Sequence, residues 1–65
     1  MAYTKPGDIV RLFYQGHSIK YLANMRRNEV LETNKRCTMA EARGYVEQVL
    51  YDDMLAERGK KGANP

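Results

Sequence analysis

Sixty-five residues with a formal net charge of +3 and 43% apolar side chains hold one domain at most, and so short a chain buries only about 60% of the surface its unfolded form exposes. Cys37 is the only cysteine, which excludes an intrachain disulfide, and one Cys with one His (His17) cannot close a four-ligand zinc shell. A lone thiol suits a reducing compartment, and no apolar run approaches the roughly 20 residues that cross a bilayer, so the expectation is a soluble, cytoplasmic protein without cofactors or membrane contact.

Residues 1–7 read as an irregular N-terminal arm punctuated by Pro6-Gly7. Asp8 is a candidate helix cap whose carboxylate accepts orphan amide protons and complements the helix dipole. Ile9, Leu12 and Phe13 at i, i+3 and i+4 then form one face of a helix reaching about Gln15. Gly16 supplies the left-handed exit that helices favour. The same run is rich in β-branched and aromatic residues, and reads alternatively as a β-hairpin of residues 8–14 and 18–22 around Gln15-Gly16. Ser18 is a good cap for the next helix, on which Ile19, Leu22 and Ala23 continue the apolar face. Residues 18–36 contain no Gly or Pro, and form either one long helix or two broken near residue 26.

Thr38-Met39-Ala40-Glu41 is a capping box, in which the Thr hydroxyl and the Glu carboxylate each satisfy a backbone amide at the other's position. The helix it opens is expected from about Met39 to Arg58, with Ala42, Tyr45, Val46, Val49, Leu50 and Met54 as its apolar face. Gly59 ends it, leaving 59–65 as a flexible basic tail. The predicted fold is all-α: a compact bundle of three or four helices over 8–58, with a helix-turn-helix-like N-terminal half. Its expected core is Ile9, Leu12, Phe13, Ile19, Leu22, Val30, Val46, Val49 and Leu50. So small a core usually recruits a disulfide, a metal or a second copy, and a homodimer is the device left.

Chemistry is sparse in this sequence. No nucleophile has a partnered base, no glycine loop suits a phosphate, and no metal-ligand spacing occurs, so the chain reads as a non-enzyme. His17 is a surface turn residue and Asp52-Asp53 a solvated helix edge. The charge, however, is uneven: residues 1–37 hold seven Lys/Arg against three acids, whereas 38–65 hold four against five. That asymmetry points to a polyanion partner for the N-terminal half.

A helix-turn-helix unit needs a scaffold helix, a small residue where a reading helix approaches it, and polar or basic residues facing the major groove. Residues 18–24 supply the scaffold, Ala23 the contact and 28–36 the reading helix. On this reading Asn28, Thr33 and Asn34 address base edges, while Lys20, Arg26, Arg27, Lys35 and Arg36 hold phosphates. The segment Gly16-His17-Ser18-Ile19-Lys20-Tyr21-Leu22-Ala23 resembles the Gly-x-Ser-x-x-x-Ile-Ala opening of resolvase-like and small phage or mobile-element helix-turn-helix proteins. Arg27 stands where that family usually turns on a glycine, and Asn28 where it has an apolar residue. The resemblance implies a small DNA-binding accessory or regulatory protein that engages double-stranded DNA as a homodimer.

A competing reading comes from the last helix. A glycine inside a helix costs roughly 1 kcal/mol relative to alanine, so the pair Ala40-x-x-x-Gly44 calls for a close-packed neighbour from the same chain or a dimer mate. Tyr14, Tyr21, Tyr45 and Tyr51 cannot all be buried in so small a domain, and exposed aromatic groups favour partner contacts. The alternative is therefore a protein-binding module that modulates a host or phage enzyme through Ala40, Gly44, Tyr45, Tyr51 and the methionines.

Overall fold

A computed structural model of the chain describes residues 3–63, with side chains as far as residue 57. Three helices form, α1 (Pro6–Tyr14), α2 (Ile19–Glu32) and α3 (Met39–Ala63), and the described residues contain no strand. Pro6 opens α1, two residues ahead of the expected start, because its fixed φ and missing amide proton suit the first helical position. Lys5 precedes it in extended conformation without a side-chain cap. Asp8 is thus not the cap; it sits in the first turn and pairs with Arg11 at 3.3 Å.

The hairpin alternative is excluded by how α1 ends. Gly16 adopts φ +109°, its amide donates to the Phe13 carbonyl (3.0 Å), and the His17 amide donates to the Leu12 carbonyl (3.2 Å). These are the two bonds of a Schellman exit, and they use amides that a strand ladder would need. Ser18 then caps α2, its Oγ accepting from the Tyr21 amide at 3.1 Å.

α2 runs without interruption through residues 24–28. Of the two alternatives for this segment, the break near residue 26 does not form, so the described residues hold three helices and not four. Nothing between Ile19 and Glu32 disfavours helix, and the face that would have to open is occupied by the contacts of Arg26 and Glu29 described below. The helix stops at Thr33, whose hydroxyl donates to the Val30 carbonyl at 2.7 Å. Asn34 follows at φ +62°, a left-handed conformation that Asn tolerates better than most residues.

The capping box of α3 forms as drawn: the Glu41 amide donates to Thr38 Oγ1 (3.1 Å), and the Thr38 amide to Glu41 Oε1 (2.9 Å). The helix continues through Gly59 to Ala63, past the expected terminus. A glycine weakens a helix by only about 1 kcal/mol and removes no backbone donor. Of the tail assigned to 59–65, residues 64–65 lie outside the described residues.

α2 and α3 make the largest of the three helix interfaces. They are antiparallel, with Arg27 meeting Cys37, Arg26 over Tyr45, and Ile19 alongside Leu50. Ile9, Leu22, Ala23, Ala42, Val46 and Val49 are buried between the helices, and Leu12, Ile19 and Leu50 pack against them. Phe13, expected in the core, is 37% exposed. It lies in the last turn of a nine-residue helix, where its ring meets Tyr14 edge-on at 6.0 Å. Val30 is half-buried and lies outside the cluster. Among the described residues no helix is long and apolar enough to cross a membrane.

Candidate nucleic-acid interface

The inner face of α2 begins with Ile19 and Leu22 and continues at the same spacing with Arg26 and Glu29. Placing an ion pair on a burying stripe requires local partners, and the N-terminal arm supplies them. Thr4 is fully buried. Its amide and hydroxyl both donate to Glu29 Oε1 at 2.7 Å, and the Tyr3 amide donates to the same oxygen at 2.8 Å. Arg26 lies 3.9 Å from Glu29 Oε2, and its guanidinium sits 3.9 Å from the centroid of the Tyr45 ring. The Tyr45 hydroxyl closes the circuit by donating to the Thr4 carbonyl at 2.7 Å. Burial by itself raises the Glu29 pKa, but hydrogen bonds from the Thr4 hydroxyl and the Tyr3 and Thr4 amides, with the Arg26 charge, outweigh it and hold the carboxyl below its usual range.

This clamp reassigns two expected roles. Arg26 is not a free phosphate anchor: its side chain is only 28% exposed and is committed to Glu29 and Tyr45. Tyr45 is not a free docking residue, since ring and hydroxyl are both used within the chain. The arm has no regular secondary structure at residues 3–5 and is tied down at residues 3 and 4. Replacing Arg26 with Ala is therefore expected to lower folding stability by about 1–2 kcal/mol, the worth of a partly desolvated cation–π contact with its ion pair. A shift of the urea midpoint checks this, and binding of any polyanion should keep its salt dependence in the variant.

Arg27 is likewise half-buried, with Nε donating to the Cys37 carbonyl at 3.2 Å; it fastens the α2–α3 connection. The remaining expected contacts divide into two places. Asn28, Thr33, Asn34, Lys35 and Arg36 are exposed on the last turns of α2 and the connection after it, and Lys35 and Arg36 make no ion pair or side-chain hydrogen bond among the described residues. Lys20 is at the opposite end of α2, about 20 Å away at 1.5 Å per residue. Because α2 is continuous, residues 28–36 form no separate reading helix; 33–36 are turn and loop.

No protein-family model matches this chain, and neither a curated protein nor a solved structure is significantly similar to it.

The outer side of α3 carries the other candidates. Ala40, Gly44 and Tyr51 are all exposed, and a Cβ added at Gly44 would meet nothing within 4 Å. The expected close packing of this small pair against another helix of the same chain is thus absent. Two shallow grooves adjoin this side of the helix. One, of about 540 Å³, is lined by Ile19, Lys20, Ala23, Met39, Ala40 and Arg43. The other, of about 390 Å³, is lined chiefly by Phe13, Tyr14, Tyr51 and Met54, with Glu47 and Asp53. Ile19 borders both. Tyr14, 71% exposed, donates its hydroxyl to Asp53 at 3.0 Å, and that hydrogen bond, followed by the Asp53 charge, raises the phenol's pKa.

Proposed function

We propose that this chain is a small non-enzymatic accessory protein, of phage or mobile-element type, that binds double-stranded DNA through its phosphate backbone. The observation that carries the reading is the α2–α3 corner, where Lys35 and Arg36 stand exposed and unpaired beside Asn28, Thr33 and Asn34. Of the acids without a cationic partner among the described residues, Glu32 and Glu41 lie at the corner itself, Glu41 Oε1 being taken by the Thr38 amide, while Asp52, Asp53 and Glu57 lie well along α3, about 15 Å or more from its first turn. A polyanion approaching the corner meets Lys35 and Arg36 with amide and hydroxyl donors beside them, opposed by the charges of Glu32 and Glu41. Contacts of this kind position a protein on the duplex without specifying a sequence. The turn motif from Gly16 to Ala23 supports the same assignment by resemblance.

Fluorescence-anisotropy titration with random-sequence duplex at two salt concentrations tests it. Affinity should fall with salt, each phosphate contact adding about 0.9 to the logarithmic slope. Lys35→Ala with Arg36→Ala is expected to lower the slope by about 2, with unchanged circular dichroism. Absence of binding at low salt, or a slope indifferent to these two substitutions, ends the proposal.

A second reading, a protein-binding module acting on a host or phage enzyme, is favoured by one observation: Phe13, Tyr14, Tyr51 and Met54 are all exposed around one groove. Its signature is capture of a partner that depends on Tyr51 and ignores Lys35 and Arg36.

A further inference from the structure

α3 runs on past the start of α2. Ile19, the first residue of α2, lies alongside Leu50, and from Tyr51 to Glu57 every side chain of α3 is exposed except the half-buried Asp53. Asp53 follows Val46 by about two turns, on the stripe that faces the core. A carboxylate therefore stands where that stripe leaves the core, and two shallow apolar hollows share it as a wall. One, of about 380 Å³, is lined by Pro6, Val10 and Val49; the other is the groove of Phe13, Tyr51 and Met54. The Tyr14 hydroxyl donates to Asp53 Oδ2 at 3.0 Å, while Oδ1 has no partner among the described residues. That phenol brings a hydrogen bond but no charge, and Asp52 likewise accepts only from the Gln48 side-chain amide at 2.9 Å. Among the described residues neither Asp52, Asp53 nor Glu57 forms an ion pair. Glu47, on the rim of the second hollow, is already paired with Arg43 and adds no free charge. The Tyr14 phenol registers the field: its pKa is raised first by the hydrogen bond to Asp53 and then by the Asp53 charge, with burial and the charge of Glu57 adding to them.

We propose that this crevice between α1 and α3 docks a segment of another protein that carries a lysine or arginine side chain between apolar ones. The cation meets Asp53 Oδ1, with Asp52 beside it in sequence, and the apolar side chains enter the two hollows. The inference rests on the protein-binding reading of this side of the chain and adds the charge of the partner. Asp53 decides that charge. Whatever covers both hollows also covers the carboxylate they share, and an apolar surface laid over it would strip water from an ionised group without supplying a counter-charge. A nucleic acid or an acidic segment would bring like charge to Asp52, Asp53 and Glu57. The chain as a whole carries +3, so a cationic segment is drawn to this crevice and not to the molecule at large.

The test is fluorescence anisotropy of the full chain at physiological ionic strength with three labelled synthetic peptides. They share one amphipathic leucine pattern and carry lysine, glutamine or glutamate at the polar positions. The lysine peptide is expected to bind about 10-fold more tightly than the glutamine peptide, and the glutamate peptide most weakly. Asp53→Asn keeps an acceptor for the Tyr14 hydroxyl; it should weaken the lysine peptide by about 5-fold or more and leave the glutamine peptide unchanged. Tyr51→Ala, at an exposed position, should weaken both. Glu32→Gln removes a carboxylate at the α2–α3 corner and should change neither. Failure of the lysine peptide to bind overturns the proposal, as does binding that Glu32→Gln weakens as much as Asp53→Asn. Equal affinity for the lysine and glutamine peptides, with both weakened by Tyr51→Ala, overturns it and leaves the protein-binding reading standing. A lysine-peptide affinity indifferent to Tyr51→Ala ends that reading as well. Self-association of the chain that depends on Tyr51 overturns the proposal in favour of a second copy in the crevice.

Discussion

Replacing Glu29 with Ala is expected to remove about 3 kcal/mol of folding stability, on the basis of hydrogen bonds to a charged acceptor worth about 1.5–3 kcal/mol each and a penalty for donors left buried without one. The substitution strands the hydroxyl and amide of Thr4, a fully buried residue, and the amide of Tyr3. It also leaves Arg26 with Tyr45 and Thr4 but no carboxylate. A domain of this length is stabilised by about 3–10 kcal/mol in total, so the loss is a large fraction and should appear as a strongly reduced urea midpoint. The same group sets an acid limb. Its carboxyl is held below the usual range in the folded state, so the folded chain binds the proton less readily than the unfolded chain. Stability from this site is therefore complete above the ordinary carboxylate pKa and is lost as pH falls through the depressed value. Wild type should lose stability in that acid window, and Glu29→Ala should lack this share of the loss. A variant less than about 1 kcal/mol weaker than wild type would show that the clamp is decorative.

Leu22→Ala is the second large effect. Leu22 is completely buried in the cluster that joins all three helices, and removal of such a side chain costs the transfer free energy of the lost methyl groups plus a cavity term, about 2–5 kcal/mol together. The neighbouring core is mostly small, Ala23, Ala42, Val46 and Val49, and small side chains have little reach with which to refill the space. Phe13→Ala provides the contrast. Its ring is already 37% exposed, so the expected loss is about 1 kcal/mol, well under the 3–5 kcal/mol of a buried phenylalanine. Chemical denaturation of the two variants side by side orders them; a larger effect at Phe13 than at Leu22 would contradict the observed core.

Both comparisons bear on how far residue patterns reach. The apolar spacing of Ile9, Ile19, Leu22, Val46 and Val49 was readable because each repeats at helical period within its own segment. Phe13 obeys the same period, yet a short helix cannot keep every turn of its face covered. The Arg26 and Glu29 positions were also legible in principle, since they extend the Ile19–Leu22 stripe. As a stripe of charge they look like solvated surface until Thr4 and Tyr45, 25 and 16 residues from Glu29, are brought against them.

The sequence by itself determined the Ser18 cap and the Thr38–Glu41 capping box and favoured the helical class with a Gly16 exit, because these depend on residues within a few positions of one another; the exit bonds of α1 then excluded the hairpin. Only the tertiary structure decided that α2 stays continuous past residue 26, that Arg26, Arg27 and Tyr45 are consumed inside the chain, and that Gly44 and Tyr51 face outward. Those outcomes depend on which distant groups meet, and a cation looks the same along the chain whether its partner turns out to be a phosphate, a carboxylate or an aromatic ring.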